Sequence, residues 1–275
     1  MTFGARLREA MDSRSPLCAG IDPHPSLLDA WGLTDSPVGL ERFSLAVVEA
    51  LAGSVAALKP QSAFYERHGA QGVSVLEKVI AAARGLGVLV VLDVKRGDIG
   101  STAQAYADAY LDPTSSLAVD AITASPFLGF GSLDPMIDTA LAHDAGVFVL
   151  ALTSNPEGRQ VQHATTPDGR TVAGAVLDAV SERNEGATPM GSVGAVVGAT
   201  IGQTHENLAV NGPLLVPGLG AQGGTASDVR RIFGGAAGNV LASSSRGILS
   251  AGPDKAALHA AAQRTARELD ALAQA

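Results

Sequence analysis

Eight times along this chain a short run of branched apolar residues ends on a polar, charged or glycine-rich stretch, and a helical pattern follows before the next run begins. The runs cover residues 17–22, 55–60, 88–95, 118–124, 147–153, 193–200, 214–218 and 239–243. Helical spacing covers 3–13 ahead of the first run, then 39–52, 73–86, 101–111, 133–143, 172–186, a short piece near 204–209, 226–233 and 254–273. Pro23, His24 and Pro25 are expected to stop regular structure after the first run. A stretch as uniformly apolar as Val88–Leu92 has no solvent side, so it belongs in a parallel sheet covered on both faces. Eight such βα units in roughly 250 residues predict an α/β fold closed as a (β/α)8 TIM barrel. An open doubly wound sheet is the alternative, but no Gly-x-Gly-x-x-Gly follows the first strand. No composition break, linker or low-complexity tract divides the chain, so residues 1–275 read as one barrel domain with a short N-terminal helix.

The bulk properties narrow the classes of function. At 275 residues and 46% hydrophobic content the chain can bury a large core, and no apolar run reaches the ~18 residues of a membrane span. The N-terminal MTFGARLREAMDSR is charged and has no signal-peptide core. A single cysteine, Cys18, excludes an internal disulfide framework and fits the reducing cytoplasm. A net charge of −8 with 4% aromatic residues argues against a nucleic-acid partner. Any anionic ligand must therefore meet a few local cations. Lysine is scarce, and two of the four, Lys59 and Lys95, stand at strand ends.

In a parallel barrel every strand's carboxyl end opens on one mouth. Strand one ends on Asp22, strand two on Lys59, and strand three carries Asp93 and Lys95, with Asp98 on the turn beyond. Alternation along a strand turns Asp93 and Lys95 to the same side, and Arg96 away to the surface or an interface. Taken alone, Asp-x-Lys reads as an internal ion pair. A second carboxylate three residues on, at the site-bearing end of a strand, favours chemistry. Lys59, Asp93, Lys95 and Asp98 sum to zero charge, and the flanking carboxylates keep a lysine protonated. A protonated lysine is a general acid and a poor Schiff-base nucleophile. Strand five ends on Thr153 and Ser154, followed by a long polar loop over 155–169. The glycine-rich 218–224 segment and Arg246-Gly247 supply backbone N–H groups and a guanidinium for a phosphate at loops seven and eight, the usual phosphate site of such barrels. No two histidines have metal-ligand spacing, so no metal is expected.

The run from Asp93 to Thr102, DVKRGDIGST, resembles the Asp-x-Lys-x-x-Asp-Ile-x-x-Thr signature of the orotidine 5′-phosphate decarboxylase family. The resemblance extends over the whole barrel. Asp22 resembles the aspartate that binds the ribose hydroxyls, and Lys59 the second-strand lysine of the catalytic tetrad. Ser154 resembles the hydroxyl on the pyrimidine, with Thr153 as the other candidate. Gln222 with Gly223, and Arg246 with Gly247, resemble the phosphate-binding residues. The chain is most similar to the longer bacterial (type 2) branch, departing from shorter members in its 23–54 connection and its 155–169 loop. The resemblance implies decarboxylation of orotidine 5′-phosphate to UMP, the last step of de novo pyrimidine synthesis, in the cytoplasm and without a cofactor. Lys95 would protonate the ring carbon after CO2 leaves, and Asp93 would lie beside the departing carboxylate. It also implies a homodimer in which Asp98 and Thr102, flanking Ile99 of the substrate-binding motif, reach into the neighbour's site.

Three rival functions follow from the same residues. A magnesium-dependent sugar-phosphate decarboxylase or hexulose-phosphate synthase of the same superfamily has an acidic residue at the end of strand two, where this chain has Lys59. A phosphate-ligand binding barrel without catalysis would use the four charges as a structural network. A Schiff-base aldolase needs a neutral lysine, which the flanking carboxylates oppose.

Overall fold

The computed structural model describes residues 1–219 and 223–273. Helix α1 (Phe3–Ser13) leads into β1 (Leu17–Ile21), α2 (Pro25–Ala30), α3 (Pro37–Leu51) and β2 (Ala57–Pro60). Then come α4 (Ala63–Glu66), α5 (Gly69–Gly85), β3 (Leu89–Arg96), α6 (Gly100–Leu111), β4 (Ala121–Ala124), α7 (Asp134–Ala142) and β5 (Gly146–Leu152). The second half runs through α8 (Arg159–Gln162), α9 (Val172–Arg183), β6 (Val193–Val197), β7 (Leu214–Pro217), α10 (Ala226–Phe233), β8 (Val240–Ser244), α11 (Arg246–Leu249) and α12 (Lys255–Ala273). All eight strands are parallel, each pairs with the next, and β8 closes on β1 through Ala19 and Ser244. The expected (β/α)8 barrel is the one observed. No helix among the described residues is long and apolar enough to cross a membrane.

Two local expectations are corrected. Regular structure does stop after β1, over 22–24, but it resumes at once in a helix that was not expected. Pro25 is the first helical residue of α2, where its missing N–H costs nothing and its fixed φ suits the turn. The helix expected near 204–209 is absent, and the chain passes from β6 to β7 in irregular conformation. Thr204 and Asn207 instead accept the backbone N–H groups two residues on, the turn-forming habit of short polar side chains.

Alternation along each strand separates two cores. Outward residues such as Val90, Leu92 and Val94 pack under the helices. Inward residues such as Cys18, Ala57, Val91, Ala121, Phe148 and Leu215 fill the barrel axis. Helix α1 stoppers its amino-terminal end, burying Phe3, Leu7 and Met11 and setting the Phe3 ring edge-on to Phe148 at 6.0 Å. Gly146 makes that approach possible, since a Cβ there would stand 2.2 Å from the Phe3 ring. The bottom is therefore sealed, and the inward phase opens only at the carboxyl end.

Candidate active site

The same period of two that fills the axis delivers the charged groups to the mouth. Lys59 follows Ala57 on the inward face of β2, Asp93 follows Val91 on β3, and Thr123 follows Ala121 on β4. Asp22 stands one residue beyond β1, in phase with Cys18. Lys59, Asp93 and Thr123 are buried, and Lys95 is half exposed at the rim.

Asp93 is the hub. Its Oδ2 accepts from Lys59 Nζ at 3.1 Å, and its Oδ1 accepts from Lys95 Nζ at 2.5 Å and from Thr123 Oγ1 at 2.8 Å. Burial by itself would raise the carboxyl's pKa, but the two ammonium charges and these hydrogen bonds hold it at about 2. Burial likewise opposes the Lys59 ammonium, and the charges of Asp22 and Asp93 overcome it and push its pKa up. At neutral pH Lys59 is therefore an ammonium and Asp93 a carboxylate. Cys18, deeper on the axis, is pushed up to about 12 by burial, so its thiol stays protonated and inert.

Asp22 Oδ1 is buried and has no hydrogen-bond partner among the described residues, an orphaned acceptor beside the cluster. A cavity of about 980 Å³ opens above Lys59, Asp93, Lys95 and Thr123, with Leu150, Val196 and Leu215 as its apolar floor. Thr153 and Ser154 both line it. The Thr153 hydroxyl is already committed, donating to Asn155 Oδ1 at 2.6 Å and accepting from Gln162 Nε2 at 2.7 Å. The Ser154 hydroxyl makes no hydrogen bond among the described residues and so remains open to a ligand.

On the opposite rim Gly223 has φ 88°, a backbone conformation that glycine adopts freely. Gly224 returns its N–H to Gly218 O at 3.0 Å. Gln222 lies outside the described residues. Arg246, with Gly247 beside it, is exposed at the start of α11, next to the end of β1, and no described residue pairs with its guanidinium.

Asp98, Ile99 and Thr102 do not join the cluster of their own barrel. Asp98 Oδ1 accepts from Ile99 N at 2.8 Å, Ile99 is 61% exposed, and Thr102 is exposed on the first turn of α6. Arg96 differs from expectation in being half-buried. It donates to Glu66 at 2.5 Å and lies over the Tyr106 and Tyr110 rings, because the outward phase of β3 meets α4 and α6 there. Sequence reasoning missed Thr123. A single hydroxyl at an inward position of the short apolar run Ala121–Ala124 was the available signal. Among the described residues no group of three or more His, Cys, Asp or Glu side chains is arranged to hold a metal ion.

Residues 15–261 match the model of the orotidine 5′-phosphate decarboxylase / HUMPS family. The chain is 62% identical over 264 residues to an orotidine 5′-phosphate decarboxylase of Salinispora tropica, covering 96% of this chain and 95% of that one. It is 65% identical over 250 residues to the enzyme of the same name from a Nocardioides species, covering 90% and 91%. A crystal structure from Streptomyces avermitilis superposes with a TM-score of 0.98 at 57% identity, covering 100% of this chain and 96% of that one. An OMP decarboxylase structure from Leishmania donovani gives 0.77 at 30% identity, covering all of both chains.

Proposed function

The chain belongs to the orotidine 5′-phosphate decarboxylase family and catalyses the conversion of orotidine 5′-phosphate to UMP in pyrimidine biosynthesis; on that premise we propose that Lys95 is the proton donor and that side chains alone carry the chemistry. The observation that carries the proposal is the lysine's position, 2.5 Å from an Asp93 that is itself anchored by Lys59.

Loss of CO2 breaks the bond between the ring carbon and the carboxylate and leaves the electron pair on that carbon. An ammonium already fixed at that point stabilises the charge as it forms, with no reorganisation needed. The Lys95 ammonium then delivers its proton to the carbon, and the resulting amine is reprotonated from water. Asp93, ionised at neutral pH, lies beside the departing carboxylate and keeps Lys95 in place. Lys59 keeps Asp93 ionised and in turn meets the ribose side of the substrate with Asp22. The orphaned Asp22 oxygen suits a sugar hydroxyl, which would donate the hydrogen bond it lacks. Ser154, with its free hydroxyl, meets the pyrimidine. Arg246, with Gln222 and the backbone at Gly223 and Gly247, holds the phosphate, and that remote binding energy aligns the ring.

We assign Asp98, Ile99 and Thr102 to the site of a second copy, making a homodimer with two shared sites. Their exposure beside the mouth supports this, as do the exposed side chains Phe127 and Leu128 on the neighbouring loop. A buried free cysteine is in keeping with a cytoplasmic enzyme.

Release of CO2 from orotidine 5′-phosphate, followed with and without EDTA, tests the proposal. Turnover unaffected by the chelator is expected. Inhibition by EDTA would favour the magnesium-dependent reading, and tight UMP binding without CO2 release would favour a binding barrel.

A further inference from the structure

We propose that Thr123 is a positioning residue for Lys95, setting both its backbone and its ammonium through one hydroxyl. The inference rests on the reading of Lys95 as proton donor.

The pairing of β3 with β4 is regular up to Leu92, opposite Ile122, and resumes at Arg96, opposite Ala124. Three residues of β3, Asp93 to Lys95, therefore stand against the single residue Thr123. A bulge of this kind re-aims side chains and leaves ladder hydrogen bonds unmade. Lys95 sits at its end with φ 45°, a left-handed conformation that residues with a side chain rarely adopt. Its N–H accordingly has no strand carbonyl to meet.

Thr123 Oγ1 takes that place, accepting from Lys95 N at 2.9 Å. An amide N–H can only donate, so the hydroxyl's own proton is free to point elsewhere. It goes to Asp93 Oδ1 at 2.8 Å, the oxygen that also accepts from Lys95 Nζ at 2.5 Å. One side chain, 1% exposed, thus bonds both the main chain of the donor lysine and the counter-ion that holds its head. Either bond alone would be ordinary packing. Together they fix where the ammonium lies relative to the carbon it must protonate, and small misplacements at that point cost rate more than affinity.

The test compares Thr123→Val, which keeps the shape and removes the hydroxyl, with Thr123→Ser, which restores it. Thr123→Val is expected to lower kcat by roughly 10–100-fold with KM and UMP affinity within about threefold of the parent. Thr123→Ser should return kcat to within about threefold. Thr123→Cys, whose thiol bonds weakly and at longer range, covers the case in which the valine variant does not fold, and its kcat should fall at least about fivefold with UMP affinity kept. A parental kcat in the valine or cysteine variant would overturn the proposal, and so would a serine variant as impaired as the valine one. Lys95→Ala run in parallel separates the two readings. If it is inactive while Thr123→Val is unimpaired, only the role of Thr123 fails. If Lys95→Ala itself turns over, the proton-donor assignment fails first.

Discussion

Replacing Asp93 by asparagine keeps the side chain's shape and removes the one charge that two lysines share. The carboxylate bridges Lys59 and Lys95 with only 10% of its side chain exposed. Burial opposes its ionisation, yet the lysines and hydrogen bonds lower its pKa from 3.8 to about 2. That lowering corresponds to on the order of 2 kcal/mol of folding stability at neutral pH. Because the folded pKa is depressed, the contribution is complete above the unfolded value and is lost as pH falls through about 2. The asparagine variant also leaves Lys59, 8% exposed, with the charge of Asp22 alone. Removing one partner of a buried pair typically costs about 3–5 kcal/mol. Urea unfolding at pH 7, at one protein concentration, should show a loss in that range. Near pH 3 the gap should narrow by on the order of 1 kcal/mol, because the carboxyl of the parent's unfolded chain, at its ordinary value of 3.8, is by then mostly protonated while the folded one is not. A loss under about 1 kcal/mol at pH 7, or a gap that widens toward pH 3, would refute the view that Asp93 is held ionised by the two lysines.

Arg246→Ala should weaken substrate binding through a charge-assisted contact worth on the order of 2–4 kcal/mol, read as a fall in kcat/KM, while the urea midpoint stays unchanged because no described residue pairs with that guanidinium. An unchanged kcat/KM would place the phosphate elsewhere. The free nucleoside orotidine should be a far poorer substrate for the same reason, and equal turnover of nucleoside and nucleotide would contradict a phosphate grip. Lys95→Ala and Asp98→Ala should each be inactive alone, yet recover roughly a quarter of the parental sites after random subunit exchange, because each hybrid dimer assembles one unblemished site. No recovery, with exchange verified by a tagged subunit, would assign Asp98 to its own barrel.

Much of this was legible in the sequence because the fold and the site obey the same period of two. Once Val88–Leu92 is read as a buried parallel strand, Asp93 must continue its inward phase, and Lys59 does the same after Ala57. Eight repeats of the pattern close the barrel and bring those positions to one mouth. What escaped the sequence is what breaks that period. The bulge opposite Thr123 and the left-handed turn at Lys95 leave no mark in residue types, because the residue bearing the positive φ is a lysine and not a glycine. The choice between Thr153 and Ser154 was equally hidden. That the Thr153 hydroxyl is engaged and the Ser154 hydroxyl is not follows from Asn155 and from Gln162, which lies at the end of α8, nine residues on, where no local pattern places it. The β6–β7 connection departs from the helix its spacing suggests because polar side chains at Thr204 and Asn207 favour local turns.

If a lysine fixed by Asp93 delivers the proton to the decarboxylated ring, Lys95→Ala must stop turnover and spare binding. CO2 release from orotidine 5′-phosphate and UMP affinity by calorimetry are measured on the same preparation. Turnover is expected to fall by at least about a thousandfold while UMP still binds, because the phosphate grip at Arg246 is untouched. CO2 release within about tenfold of the parent would contradict it.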